Sequence, residues 1–242
     1  MTTSDLWDEG TAARYDESSA AMFAPEVLDP AVDLLADLAG AGRALELAIG
    51  TGRVGIPLAE RGVDVVGIEL SRPMADQLHR KAPDLPVTVG DMATTRVEGL
   101  FSLVYLVFNT IGNLTTQEEQ VACFANAARH LEPGGRFVVE VGVPSLRRLP
   151  PGQAAVPFDV SEEHVGLDTY DPVTQQAMSH HYSRQADGSY AYFPHHFRYV
   201  WPSELDLMAR LAGLRLERRT ADWRGAEFTG ESESHVSIWR KE

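Results

Sequence analysis

The chain has 242 residues, 44% hydrophobic and 23% charged, which suits one α/β domain with or without an insertion and leaves enough apolar side chain for a full core. Its formal net charge of −14 would repel a duplex or tRNA, so nucleic acid is not expected as a partner. No apolar run is long enough to span a bilayer, Met1-Thr2-Thr3-Ser4-Asp5 lacks a signal-peptide pattern, and the single Cys123 cannot close an intrachain disulfide, so the expectation is a cytoplasmic protein with no membrane partner.

Met1 to Phe23 carries Trp7, Tyr15, Met22 and Phe23 among polar residues, too aromatic for a disordered tail. It reads as a helical arm that folds over something. From Pro25 to Leu38, Val27, Leu28, Val32, Leu35 and Leu38 recur at helical spacing, and Gly40-Ala41-Gly42 ends that helix.

Ala44 to Ile49 then reads as a short buried strand containing one acid, Glu46. Gly50-Thr51-Gly52 forms a tight turn, and Arg53 to Arg61 the following helix, with Pro57 near its start. Glycines let such a turn take positive φ and approach a ligand closely, and a helix start offers free N–H groups to it.

Val63 to Ile68 is a second buried strand ending in Glu69, and Ser71 caps a helix running to about Lys81. Pro86 to Val89 is a third strand, ending at Gly90-Asp91-Met92. Phe101 to Phe108 is a fourth, followed by Asn109-Thr110-Ile111-Gly112-Asn113-Leu114. Thr116 to Leu131 is a helix opened by a capping box, Thr116 to Glu119. Cys123 sits in its apolar-periodic stretch and reads as a small core residue. Glu132-Pro133-Gly134-Gly135 breaks the helix, and Arg136 to Val143 is a fifth strand.

This alternation of strand and helix predicts an α/β fold with a doubly wound, largely parallel sheet. It then stops. Pro144 to Pro157 holds four prolines and reads as a linker. Leu167 to Phe197 has strand–turn–strand character, with turns at Tyr170-Asp171-Pro172 and Ala186-Asp187-Gly188-Ser189. A helix over Ser203 to Ala212 and strands over Leu214 to Arg219 and His235 to Trp239 close the chain. Arg215, Arg218 and Arg219 read as a solvated strand and loop edge. The expected division is an N-terminal helical arm or lid over 1–40, a cofactor-binding core over 41–143, an antiparallel substrate-lid insertion over 144–201, and the remainder of the core sheet over 202–242.

Parallel strands align their carboxyl ends, so Glu69 and Asp91 fall along one edge with the glycine turn, and Glu46 lies just inside it. Glu69 follows Gly52 by seventeen residues, close to the spacing at which an acid accepts the two ribose hydroxyls of an adenosine. Asp91 falls where the adenine would lie, and Met92 offers it an apolar face. Gly50, Gly52 and Gly55 also spell G-x-G-x-x-G, which fits an NAD or FAD turn equally well. Two features favour another ligand. Glu46 points an acid toward the site, which suits a cation rather than a pyrophosphate, and Phe108 to Leu114 shows no hydride-transfer set.

The stretch Leu45-Glu46-Leu47-Ala48-Ile49-Gly50-Thr51-Gly52-Arg53 resembles motif I of the class I S-adenosylmethionine-dependent methyltransferases. Val65 to Ser71 resembles their second motif, and Gly90-Asp91-Met92, Phe108 to Asn113 and Leu131 to Gly135 the later ones. Ala48 departs from the pattern, standing where the family usually has its first glycine. The resemblance implies a Rossmann-like seven-stranded sheet whose last strand is antiparallel, with Glu46 and the Gly50 to Gly52 backbone holding the methionine end of S-adenosylmethionine. The arm and the insertion resemble small-molecule N-methyltransferases of actinomycete natural-product pathways, in which an arm tyrosine, here Tyr15, helps close the cofactor site. The expected cofactor residues are therefore Tyr15, Glu46, Ala48, Gly50, Gly52, Arg53, Glu69, Leu70, Asp91, Met92, Phe108 and Asn109.

For the chemistry, Tyr15, Phe108 and Glu140 are the candidates. Phe108 follows strand four beside the central turn, where the sulfonium methyl would point. Glu140 ends strand five and could orient an amine or accept its proton. Neighbours on a strand face opposite sides, so neither His180-His181 nor His195-His196 can chelate from one face, and no metal is expected. The expected acceptor is a small molecule, an amine before a hydroxyl, walled by Tyr170, His181, Tyr192, His196, Arg198 and Trp201. The alternatives are an O-methyltransferase, an NAD- or FAD-dependent oxidoreductase and a catalytically silent binding protein. The sequence leaves the oligomeric state open, a homo-oligomer included.

Overall fold

A computed structural model describes residues 7–242. Met1 to Leu6, the first residues of the expected arm and of the segment read as lacking a signal peptide, lie outside the described residues. The elements run α1 (Glu9–Ser18), α2 (Pro25–Ala39), β1 (Arg43–Leu47), α3 (Gly55–Glu60), β2 (Asp64–Glu69), α4 (Arg72–Lys81), β3 (Val87–Val89), β4 (Phe101–Leu106), α5 (Gln117–His130), β5 (Leu131–Gly142), β6 (Ala155–Val160), β7 (His164–Tyr170), β8 (Gln176–Arg184), β9 (Tyr190–Arg198), α6 (Pro202–Leu211), β10 (Leu214–Thr220) and β11 (Ser234–Lys241).

Seven strands form one sheet in the order β10-β11-β5-β4-β1-β2-β3. β1, β2, β3, β4 and β5 pair in parallel, and β11 runs antiparallel to both β5 and β10. The order reverses at β1 and β4, so a crevice opens between their carboxyl ends. Side-chain alternation along the central strands feeds two apolar layers. Leu45, Leu47, Val104 and Leu106 pack with α5 and α6, through Phe124 and Met208 among others. Ala44, Leu103 and Tyr105 pack on the opposite face with α2, α3 and α4, through Leu35, Leu58 and Leu78. Cys123 is buried in the first layer, and burial pushes its thiol pKa up.

β6 to β9 form a second, antiparallel sheet of four strands. The turns expected near Tyr170 and Ala186 are present as the β7–β8 and β8–β9 connections. The first strand of this sheet begins inside the stretch expected to be linker, and Pro157 lies within it. Proline is tolerated there because β6 is an edge strand. The helix before Glu132 does end, at His130, but the Gly134-Gly135 segment is already part of the following strand. It is a bulge inside β5, between the Phe101–Leu131 and Leu103–Arg136 pairs. Arg219 is not a solvated edge charge: its guanidinium grips Asp206 at 2.8 and 3.2 Å with only 12% of its side chain exposed.

Arg198, expected as a cavity wall, does line a cavity and also ties the small sheet to α5 and α6. Its guanidinium donates to Glu204 (2.7 Å), Gln120 (2.5 Å) and Gln175 (2.9 Å). Gln120 in turn donates to the carbonyls of Ile111, Leu114 and Arg198. The Arg198 side chain is 5% exposed and that of Glu204 15%. Removing one partner of such a buried pair leaves the other charge uncompensated. Arg198→Met is expected to lower the unfolding free energy by about 3 kcal/mol in urea melts. A loss below about 1 kcal/mol, the range of an exposed pair, would contradict this role.

Candidate active site

The crevice is built from the first two strands. β1 ends at Leu47, and the chain turns through Ala48 (φ 55°) and Gly50 (φ 59°). Both sit in the left-handed region. Glycine takes it freely, whereas alanine is strained there by roughly 1 kcal/mol. Ala48 thus fills the place of the family's first glycine with a strained backbone. The helix after the turn starts at Gly55 rather than Arg53, which leaves Thr51 to Val54 as additional turn.

Glu69, at the end of β2, holds this turn. Its Oε2 accepts from Gly50 N and its Oε1 from Ser71 N, both at 2.8 Å. Burial raises its pKa, with the N–H groups of Ser71, Gly50 and Leu70 pulling back. Each oxygen keeps a lone pair for a vicinal pair of hydroxyls. Asp91 caps the next turn, with Oδ1 accepting from Ala93 N at 2.7 Å. Leu70, 39% exposed, and Met92 supply apolar surface beside it.

One cavity is lined by Tyr15, Ala48, Gly50, Glu69, Leu70, Asp91 and Met92, together with Trp7, Met74, Gly90, Thr110, Asn113, Leu114, Thr115 and Glu119. A second lies between the core, the arm and the four-stranded sheet. Its walls include Tyr15, Phe108, Asn109, Asp168, Tyr170, Ser179, His181, His195, Phe197 and Tyr199. Trp7, Tyr15, Thr110 and Asn113 line both, so the two cavities adjoin at these residues. The Trp7 and Tyr15 rings meet edge to face, with centroids 5.6 Å apart.

Three expected cofactor residues line neither cavity. Glu46 faces away because alternation along β1 turns it to the α3 side, opposite Tyr105 in the β1–β4 register. It is 2% exposed, accepts from Tyr105 Oη at 2.9 Å, and lies so close to Gly55 that a Cβ there would meet its Oε2. Gly52 packs on Ile56 and Leu78, and Arg53 lays its guanidinium 5.3 Å over the Phe108 ring. These three form the floor and side of the turn.

Glu140 also departs from the expectation. It lines neither cavity, and its Oε2 accepts from Phe108 N (2.9 Å) and its Oε1 from Trp223 Nε1 (2.7 Å). It therefore positions the loop after β4. Phe108 (φ 55°) and Asn109 (φ 60°) are consecutive left-handed residues, held further by Asn109 Oδ1, which accepts from Gly142 N.

Alternation also sorts the expected acceptor wall. Asp168, Tyr170, Ser179, His181, His195 and Phe197 share the inner face of the small sheet. Tyr192 and His196 have the opposite parity and do not line the cavity. Tyr192 stacks on Tyr182 and bonds His180 on the outer face. Trp201 lies beyond β9 and also stays outside the cavity. Asp168 and Ser179 are the residues that sequence reasoning misses. Their signal is the period-two pattern of Asp168 with Tyr170 and of Ser179 with His181.

The buried Glu46 gives the turn a pH signature. Burial is the main cause that raises its pKa from 4.5 to about 8, against the Tyr105 bond and nearby Arg53. The folded chain thus keeps a proton that the unfolded chain releases. Stability is expected to fall as pH rises from 4.5 toward 8 and to level off above that. Glu46→Gln is expected to flatten that slope in urea unfolding between about pH 5 and pH 8. Parallel pH dependence in the two proteins would contradict the assignment.

Residues 44–135 match the family model described as a methyltransferase domain. The solved structure of the CcbJ methyltransferase from Streptomyces caelestis superposes with a TM-score of 0.79 at 39% identity, covering 88% of each chain. The cypemycin N-terminal methyltransferase of a Streptomyces species is 28% identical over the full length of both chains. The dTDP-3-amino-3,4,6-trideoxy-alpha-D-glucopyranose N,N-dimethyltransferase of Streptomyces venezuelae is 40% identical over 96 residues, 40% of each chain. With a seven-stranded sheet of this topology, this glycine turn and these relatives, the chain belongs to the class I S-adenosylmethionine-dependent methyltransferases.

Proposed function

We propose that this methyltransferase acts on an amine nitrogen of a small molecule held in the second cavity. The observation that carries the reading is Asp168. Its carboxylate lies in that cavity, accepts from Ser179 Oγ at 2.5 Å and Tyr170 Oη at 3.1 Å, and shares the cavity wall with Tyr170, Phe197 and Tyr199. An anion among aromatic faces suits an amine, and suits a methylated ammonium even better. Among the described residues, the arginine at that cavity is Arg198, and Glu204 neutralises it. Two of the relatives support the reading, since their names place the methyl on a peptide N-terminus and on an amino-sugar nitrogen.

The first cavity suits the cofactor, and the fit rests on its donor set. Glu69 offers two lone pairs for the ribose hydroxyls, Asp91 an acceptor for the adenine amine, and Leu70 and Met92 an apolar face. Tyr15, Ala48 and Gly50 line the remaining length. When bound, S-adenosylmethionine supplies a methyl group on a positively charged sulfur. The chain's own residues then have three tasks. Thr110 and Asn113, common to both cavities, frame the passage between donor and acceptor. Phe108 and Asn109, clamped by Glu140 and Gly142, border that passage on the acceptor side. Trp7 and Tyr15 cover both cavities and exclude water. Transfer is an in-line displacement that needs the acceptor at about 3–3.5 Å, so positioning supplies most of the rate. In this reading residues 1–40 and 144–201 act as lids over a core made by 41–143 and 202–242.

Two measurements test the proposal. Glu69→Ala removes hydrogen bonds to a charged group and is expected to weaken S-adenosylhomocysteine by about 1.5–3 kcal/mol in calorimetry. Unchanged affinity would remove Glu69 from the ribose site. In a panel of amino and hydroxy compounds, methylation is expected at nitrogen by mass spectrometry and NMR. Methylation of hydroxyls alone would overturn the amine reading.

A further inference from the structure

The proposed acceptor cavity has a way out for protons. His181, on its inner wall, points Nδ1 at His164 Nε2, 3.1 Å away. His164 Nδ1 lies 2.6 Å from Asp159 Oδ2. The Asp159 side chain is 47% exposed and that of His164 26%. The row therefore runs from the cavity on β8, through β7, to solvent at β6. The Phe158 ring, 5.4 Å from that of His181, covers the pair. It has room to do so because residue 166 is glycine, whose absent Cβ would otherwise meet that ring.

The chemistry of the row sets every proton on it. The Asp159 carboxylate can only accept, so His164 carries its hydrogen on Nδ1. The Nε2 of neutral His164 is then an acceptor, and His181 must donate to it from Nδ1. That leaves the lone pair of His181 on Nε2, at the ring edge away from His164.

We propose that Asp159, His164 and His181 form a proton relay, with His181 Nε2 as the general base for the acceptor amine. The inference rests on the amine reading above. An amine that enters as an ammonium ion must lose a proton before its lone pair can attack. That proton passes to His181 Nε2. The nitrogen lone pair then forms the N–C bond, and the electrons of the broken C–S bond return to sulfur. His181 passes its Nδ1 proton to His164 Nε2, His164 passes its own to Asp159, and Asp159 releases one to solvent. These hops leave His181 protonated on Nε2 and both rings in the reversed tautomer; once the product has left, the same hops run backward, Asp159 taking a proton from solvent and His181 Nε2 giving one to water in the emptied cavity, so the net change is one proton lost by the amine for each methyl transferred. His181 is the catalytic residue, and His164 and Asp159 are positioning residues.

The charged and titratable groups that face His181 are His164 and Asp168 on β7 and His195 on β9, with His180 next to it in the chain on the outer face of the sheet. Burial, with His164 next, lowers the His181 pKa, so the ring enters neutral.

The test uses the full chain and Asp159→Asn, a change at the solvent end of the row. Nitrogen-15 NMR of the imidazole rings is expected to show His181 protonated on Nδ1 in the unaltered protein. The side-chain amide in the Asp159→Asn protein can donate to His164, which would reverse both rings and put the His181 proton on Nε2. A His181 already protonated on Nε2 in the unaltered protein would overturn the relay. Turnover should follow the tautomer: kcat for Asp159→Asn and for His181→Gln is expected to fall by about tenfold or more, with S-adenosylhomocysteine affinity unchanged. The acid limb of the kcat/KM profile should shift in Asp159→Asn. Unchanged kcat and pH profile in both variants would also overturn it. The NMR result needs no turnover, so a protein that methylates no amine would defeat the amine reading while the tautomer still decides the relay.

Discussion

One carboxylate organises the crevice. Glu69 accepts from Gly50 on one side and from Ser71 on the other, so it joins the turn after β1 to the start of α4. Ser71 caps α4 by accepting from Met74 N and donates its hydroxyl to the Trp7 carbonyl. The position of the arm over the crevice is thus inherited from Glu69 through two short links. A buried carboxylate with such partners cannot be replaced piecemeal. Loss of the acid strands two backbone N–H groups that have no other acceptor among the described hydrogen bonds.

A second constraint sits across the crevice. Two consecutive left-handed, non-glycine residues, Phe108 and Asn109, would not hold their shape alone. The end of β5 holds them through the Glu140 carboxylate, the Glu140 carbonyl and the Gly142 N–H. β5 is paired on both edges, with β4 and β11, so the clamp is mounted on the stiff middle of the sheet. The strained pair is thereby held by a strand that is itself paired on both sides.

The core is legible in the sequence because its signals are local. Apolar strand runs, the Ser71 cap, the Thr116–Glu119 capping box and the glycine turn each act within a few residues, and each appears in the structure. Glu69 and Asp91 lie on the cavity wall because strand ends converge on one edge. Glu46 and Glu140 depart from expectation for a shared reason. Each lies within a strand, where the face is set by parity and not by closeness to the strand end. Parity turns both toward the α2 and α3 layer, where Tyr105 and Trp223 take them up. The inserted sheet is half legible. Its turns carry clear Asp, Pro and Gly signals, but Pro157 hides β6, and β6 carries Asp159. The row from Asp159 to His181 therefore has no sequence signature: its members come from three strands and meet only through cross-strand packing.

The arm rests on the core by modest polar contacts. Asp16 accepts from Thr51 Oγ1 at 2.6 Å and pairs with Lys81 at 2.5 Å, and Ser71 holds the Trp7 carbonyl. The Lys81 and Asp16 side chains are 34% and 41% exposed, so their attraction is worth at most about 1 kcal/mol. Pairs of this kind are screened by dissolved salt. Trp7 and Tyr15 line both cavities, so dissolved salt, by weakening the Asp16–Lys81 pair, loosens one of the contacts that hold the arm against the walls of both.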